Sequence, residues 1–511
     1  MPGRPVRLAA APADAAEVAA GLESLRAEVG VVSDWPADAL AEAEHAARTG
    51  AAPGAEERAE LHARADRTDI PFVTVDPAGS TDLDQAVHVA PHGRGWRVHY
   101  AIADVASFVR PGGALDAATQ ERGTTVYAPD GRVPLHPEVL SEGAASLLPG
   151  QARPAVLWRV DLDADGEPVD VQVERAVVRS RAQLTYEGVQ EALDAGTADD
   201  VLAGVRAVGL LREERERARG GVSLDVPEQE VVPDPAGGWS LRFRRTLPVE
   251  GWNAQISLLT GAVAARIMLD AGVGVLRTLP PADARDVDRL RRTAAALEIP
   301  WDADEPYGDL LPRLDSAVDG HAAFLQEATS LFRGAAYVAF GGADGAPAPA
   351  GEAAEHAAIR LPYAHVTAPL RRLVDRYGTE VCLAVTAGRE VPAWVRDALP
   401  GLPATMAGTG RRASAFDRGV LDLVEAVVLA PSVGRTFVGV VVDADEPRDG
   451  EARGQLQLRE PAVRARVTGA APLPLGDAVE ARLTEASVPH RRVVFALERP
   501  VRPESRLASR G

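Results

Sequence analysis

The stretch ARPAVLWRVDLDADGEPVDVQVERAVVRSRAQLTY, residues 152–186, constrains the fold of this chain more than any other. Two long alternating runs meet at DADGE, where Asp and Gly favour the tight turn of a β-hairpin. Strands of this length commit the centre of the chain to a sheet. Upstream, IPFVTVD reads as another strand, and GWRVHYAIADVASFV as a second that runs out into a loop. Helical spacing then takes over in TYEGVQEALDAG, ADDVLAGVRAVGLLREERERARGG, AQISLLTGAVAARIMLDAG and DARDVDRLRRTAAALEI. Further helices are expected at 307–340, 369–388 and 411–429. The result is α+β: a central mixed domain over residues 66–430.

Two flanking units differ from it. Residues 1–65 are rich in Ala, Glu and Arg, with helical spacing in DAAEVAAGLESLRAEVG and ADALAEAEHAARTG and a linker signal, GAAPGA, at 50–55. They read as a short helical N-terminal lead-in without chemistry of its own. In 431–511, GRTFVGVVVDAD, GQLQLREPAVRARVTG, GDAVEARLTEA and RRVVFALERP are short strands at near-regular spacing. That pattern predicts a small β-barrel of the oligonucleotide-binding (OB/S1-like) type, with a plain sandwich as the alternative.

Composition removes whole classes of function. One cysteine, Cys382, permits neither an internal disulfide nor a cysteine zinc cluster, and suits a reducing cytoplasm. The N-terminus lacks the apolar core of a signal peptide. The longest apolar stretch, ISLLTGAVAARIML, is interrupted by Arg266, so no membrane segment is expected. All 55 basic residues are arginines, which a GC-rich codon bias explains, and this excludes a Schiff-base lysine and a P-loop lysine. A net charge of −19 argues against non-specific binding of duplex DNA. It leaves room for a polyanion in a local arginine-lined channel, because the local field matters more than the total.

The stretch VDPAGSTDLDQAVHV, 75–89, places Asp76, Asp82 and Asp84 within nine positions, and Gln85 follows. In an extended loop Asp82 and Asp84 point one way and Leu83 the other, toward the core. Carboxylates held this close repel unless a cation lies between them. Hard oxygen ligands suit Mg²⁺ or Mn²⁺, and a magnesium site with few protein ligands typically works on phosphates. A solvated turn is the ordinary outcome for a lone D-x-D; here the flanking apolar strands argue for a buried edge.

This stretch resembles the acidic signature of the ribonuclease II / ribonuclease R (RNB) family, in which a strand ending in DP or DS runs on to D-x-D-D-A. Three more stretches match in order: AIADVASFVRPGGALDAAT, RGTTVYAPDGRVPLHPEVLSEGAASLLPGQARPAV and AHVTAPLRRLVDRYG. The resemblance implies a metal-dependent hydrolytic exoribonuclease that degrades single-stranded RNA from 3′ to 5′ and releases nucleoside 5′-monophosphates. It implies Mg²⁺ or Mn²⁺ at the base of a narrow channel, held at Asp76, Asp82, Asp84 and the fourth acidic position, here Gln85. Asp84 and Arg371 fall on catalytic positions, Tyr127 on the tyrosine that stacks on the 3′-terminal base, and Asp417 near a glutamate that serves substrate binding. A cytoplasmic monomer with single-stranded RNA as its partner is the expectation.

The residues support these roles independently. Arginine presents a planar, always-charged fork to phosphate. VTAPLRRLVDRYG reads as a helix start, with Thr367 near the cap and Pro369 in the first turn. Arg371 then lies where anions are favoured, with Asp375 four residues on as its partner. There are departures from the family. Gln85 replaces an acid, Gly261 stands where the helix signature has asparagine, and the N-terminal cold-shock barrels have no counterpart in the lead-in. The alternatives are an RNA-binding protein on the same fold with a weakened metal site, and a phosphatase using the aspartates. Gln85→Asp is expected to lower the Mg²⁺ requirement.

Overall fold

The computed structural model describes residues 12–52, 63–224, 226–233, 239–316, 318–445, 450–458, 460–470 and 472–501. Two helices lead, α1 (Pro12–Val29) and α2 (Ala37–Thr49), where the alanine-rich spacing places them. Part of the linker signal at 50–55 lies outside the described residues. The central sheet is built from β1 (Ala65–Asp66), β2 (Phe72–Asp76), β3 (Gln85–His92) and β4 (Gly95–Ala103), followed by α3 (Ala114–Arg122) and a small hairpin, β5 (Val126–Ala128) and β6 (Gly131–Val133). The long hairpin β7 (Ala152–Leu162) and β8 (Pro168–Thr185) completes it in the order β1-β8-β2-β3-β4-β7. The turn of that hairpin is set as its sequence requires: Asp163 accepts the Asp165 and Glu167 amides, and Gly166 takes a left-handed φ of 81°. β8 is long enough to pair antiparallel with β7 along its first part and parallel with β2 along its last.

The sheet is covered on both faces. One buries Val87, Tyr100, Ile102 and Trp158 under α5 (Asp200–Ala218), α6 (Pro248–Ala271) and α10 (Leu373–Thr386). The other buries Leu83, Ala101 and Leu157 under Ala39, Ala43 and Ala46 of α2. By length and composition alone α6 could cross a membrane, but its Ile256, Leu259, Ala264 and Met268 are core residues of the domain. Helix starts follow the sequence: Thr185 caps α4 (Tyr186–Asp194) and Asp199 caps α5, each accepting a first-turn amide.

The region 307–340 departs from the helical expectation. A ribbon of β9 (Glu228–Pro233) and β10 (Trp239–Arg244) precedes α6; after α6 come β11 (Gly274–Thr278) and α7 (Ala284–Ala296). Among the described residues of 307–340 only α8 (Tyr307–Leu310) and α9 (Asp319–Ala328) are α-helical, and β12 (Ala336–Phe340) is a strand paired with β11. AYVAF alternates, and its partner Gly274–Thr278 gives it a ladder that helix propensity cannot match. A two-residue bridge of β13 (Glu355–His356) and β14 (Leu361–Pro362) leads toward α10, α11 (Ala393–Ala398) and the long α12 (Leu402–Leu429). α12 packs Phe416, Val420 and Leu423 against Val18, Leu22 and Leu25 of α1.

The remaining strands, β15 (Thr436–Ala444), β16 (Ala452–Leu458), β17 (Arg464–Gly469), β18 (Ala478–Ser487) and β19 (Arg492–Pro500), form a closed barrel in the order β15-β16-β17-β19-β18. The barrel, rather than the sandwich, is the outcome. Its interior holds Val441, Leu456, Val467, Leu483 and Phe495.

Candidate active site

The acidic loop is the connection from β2 to β3. Asp76 is the last residue of β2 and Gln85 the first of β3. Between them Leu83 is fully buried; its N–H donates to Ser146 Oγ at 3.0 Å, and Ser146 Oγ donates to the Thr81 carbonyl at 2.7 Å. The apolar residue thus anchors the loop, as the alternation predicts, and leaves the flanking aspartates to other partners.

Those partners come from two distant segments. Asp84 is buried; its Oδ1 accepts the Leu370 amide at 2.7 Å and its Oδ2 the Arg371 Nε at 2.9 Å. Asp82 Oδ1 accepts Arg132 Nη1 at 2.5 Å, and Asp82 Oδ2 lies 3.4 Å from the Tyr127 hydroxyl. Arg132 also bonds Thr81 and Glu142. Tyr127 and Arg132 face each other across the β5–β6 hairpin. Gln85 donates from Nε2 to the Thr367 carbonyl at 2.6 Å and accepts at Oε1 from the Tyr100 hydroxyl at 2.5 Å. The arginine turn is tied in turn to the strand leading to Tyr127, because the Arg371 carbonyl accepts the Thr125 amide at 3.0 Å and the Thr124 hydroxyl at 2.9 Å.

Two expectations about that turn change. The helix begins at Leu373, with Arg372 at the cap position, so Thr367 is no cap and residues 366–372 form an irregular turn just before the helix. Asp375 pairs with Arg372 rather than Arg371, through Nε at 2.9 Å and Nη2 at 2.7 Å, and accepts the Ala368 amide at 2.7 Å. Arg371 is thereby left to Asp84, just ahead of the helix N-terminus.

The electrostatics are those of an under-compensated acidic pocket. Burial raises Asp76 and Asp84 each to about 7; in both cases the Arg371 guanidinium opposes the shift and Asp82 adds to it. Asp76 Oδ2 is buried without a hydrogen-bond partner. A buried carboxylate oxygen within the field of Asp82 is a hard-oxygen donor of the kind that suits Mg²⁺ or Mn²⁺. Among the described residues no three acidic, His or Cys side chains already converge on one point. Arg132 and Arg371 lie against Asp82 and Asp84 instead.

Asp76, Asp82, Asp84, Gln85, Tyr127 and Arg371 are therefore gathered in one place. Asp417 stands apart on α12, beside Phe416, whose ring belongs to the same apolar cluster as Val126 next to Tyr127. Burial pushes its carboxyl up to about 6, with Arg418 opposing. Sequence reasoning missed Arg132 and Tyr100. The first was legible, since a tight turn at Pro129 and Asp130 pairs Ala128 with Gly131 and so sets Arg132 opposite Tyr127; the second reads as an ordinary core tyrosine.

Known proteins resemble this chain in sequence and in fold. The RNB domain family matches residues 64–381, and the RNase II-type exonuclease C-terminal S1 domain matches residues 435–498. Ribonuclease R of Escherichia coli (strain K12) is 27% identical over 406 residues, covering 74% of this chain and 48% of that protein. The chain spans about half the length of that relative. Among solved structures, Mycoplasma genitalium RNase R in complex with ribose methylated single-stranded RNA superposes with a TM-score of 0.80 at 20% identity, covering 94% of this chain and 78% of that one. Yeast Ssd1, a pseudonuclease, superposes with a TM-score of 0.62 at 17% identity, over 83% of this chain and 52% of that one. With its acidic loop, tyrosine hairpin and arginine turn joined at one site, and with the family match extending over more than half its length, this chain belongs to the RNB family.

Proposed function

We propose that the protein is a metal-dependent hydrolytic exoribonuclease that shortens single-stranded RNA from its 3′ end and releases nucleoside 5′-monophosphates, acting as a cytoplasmic monomer. The observation that carries this reading is the pair of bonds from Asp84 to Leu370 and Arg371, which set a guanidinium beside the acidic loop from 286 and 287 positions away. Asp76, Asp82 and Asp84 would hold Mg²⁺ or Mn²⁺. The ion would supply positive charge to a phosphodiester under attack by water. Gln85, the fourth position of the set, joins the site through the amide that it lends to the arginine turn.

The chain's own groups have separable tasks. Arg371 has one edge of its guanidinium engaged by Asp84, which leaves the other nitrogens to meet a phosphate oxygen. Tyr127, half-buried, offers a ring on which any terminal base can stack, worth about 1–3 kcal/mol. The barrel adds a second surface for the strand. The RNA held by the Mycoplasma genitalium neighbour supports RNA as the substrate.

An oligonucleotide labelled at its 5′ end, incubated with Mg²⁺, is expected to yield mononucleotides and one short terminal product, and EDTA to abolish both. Internal cuts appearing first would rule out the exonuclease reading. A second reading, RNA binding without hydrolysis, is favoured by the amide at Gln85 and by the likeness to a pseudonuclease. In that case RNA is bound and no nucleotide is released at any Mg²⁺ or Mn²⁺ concentration.

A further inference from the structure

The side chain of Gln85 is occupied at both ends. Its Nε2 donates to the Thr367 carbonyl, and its Oε1 accepts from the Tyr100 hydroxyl. That hydroxyl lies 2.8 Å from Ser257 Oγ. The Tyr100 ring is buried in the core beneath β4, and Ser257 belongs to α6. A line of hydrogen bonds thus runs from α6 through Tyr100 and Gln85 to the arginine turn. Asp84, one residue earlier, meets the same turn at the Leu370 amide and at Arg371 Nε.

The two neighbours divide the turn's bonding groups by chemistry. Asp84 can only accept, and it takes an amide N–H and a guanidinium N–H. The partner left over is a carbonyl, at Thr367, and it needs a donor. An ionised carboxylate at position 85 has none to give and would face the carbonyl oxygen with like charge. An amide donates at one end and accepts at the other, which matches Thr367 and Tyr100 together. The residue that departs from the family's acid is the one side-chain type here that satisfies both partners without burying a further charge.

We infer that Gln85 is a positioning residue: through Thr367 it holds the arginine turn, and so Arg371, in register with Asp84. This rests on the exoribonuclease reading above. Gln85→Glu keeps the side-chain length and removes the donor. At saturating Mn²⁺ its kcat on single-stranded RNA is expected to fall at least ~10-fold with KM within ~3-fold, the signature of a misplaced reacting group. Hydrogen exchange in the peptide 364–373 is expected to quicken, and Mn²⁺ affinity, measured from the paramagnetic resonance of the free ion, to stay within ~3-fold of wild type.

Tyr100→Phe removes only the hydroxyl that holds the amide's other end. It is expected to quicken exchange in the same peptide and to lower kcat several-fold. In a Gln85→Glu background it should cost nothing more, because the line is already broken. The inference is overturned if either variant keeps wild-type kcat and wild-type exchange, if the two losses simply add, or if Gln85→Glu binds Mn²⁺ more than ~10-fold tighter, which would make position 85 a metal position. Exchange and metal binding are read without turnover. A wild type that releases no nucleotide therefore defeats the exoribonuclease reading and leaves the exchange test of Gln85 standing.

Discussion

At the scale of single residues, the acids and the arginines of this site answer one another. Asp84 accepts two N–H donors from the arginine turn, and an amide in its place can accept only one of them and would aim its own NH₂ at the other. Asp84→Asn is expected to lower kcat by ~100-fold or more and to leave RNA affinity within ~3-fold, measured by single-turnover hydrolysis and by binding in EDTA. An equal loss of both would make Asp84 a structural acid. Arg132 presents a different relation, because its guanidinium sits against Asp82 where a metal would compete for the same oxygen. Arg132→Gln should lower the Mn²⁺ concentration for half-saturation ~3-fold or more, and an unchanged titration would show that arginine and ion do not compete. Asp76, Asp82 and Asp84 stand out in the sequence because local spacing and charge mark them, whereas Arg371 stands out only through the resemblance of its motif to the family's. The bond from Asp82 to Arg132 and that from Gln85 to Thr367 were not, because each joins segments that only tertiary packing brings together.

At the scale of elements, the hairpin at 152–185 and the leading helices were written in periodicity and turn chemistry. The start of α10 was not. Pro369 invites a helix from that point, but the amides of Ala368 and Leu370 go to Asp375 and Asp84, and that competition delays the helix to Leu373. Gly261 likewise has a reason that only packing reveals. A Cβ there would lie 2.1 Å from the Tyr363 ring and 2.6 Å from the Ala364 carbonyl oxygen, and the Gly261 carbonyl accepts the Ala364 amide at 3.1 Å. α6 and the strand leading to the arginine turn are therefore in near backbone contact. Gly261→Ala is expected to cost about 1–3 kcal/mol. The check is the melting temperature, and a variant that melts with wild type would show that Tyr363 moves aside freely.

At the scale of the whole molecule, the barrel was legible from its short strands, whereas the β9–β10 ribbon that wedges Leu241 into the barrel's apolar cluster was not, since its charged and Gly/Pro-rich sequence reads as loop. α12, ribbon and barrel meet at Glu425, which accepts Gln229 Nε2 at 2.8 Å and the Arg464 amide at 3.0 Å. Burial raises its carboxyl to about 7, opposed by those two hydrogen bonds. A raised acid favours the folded state while protonated: its stabilising contribution is complete below the ordinary range near 4.5 and is lost as pH climbs through about 7. Glu425→Gln should therefore raise the melting temperature by ~1–3 °C at pH 8 and leave it unchanged at pH 4; equal shifts at both would refute the assignment. The separation of 286 residues between Asp84 and Leu370 has a consequence in time as well as space. At ordinary rates of translation the acidic loop leaves the ribosome roughly 15–60 s before its arginines do. Through that interval the nascent chain carries the acidic loop and no guanidinium from the turn, so the bonds from Asp84 to Leu370 and Arg371 cannot form until most of the chain has been made.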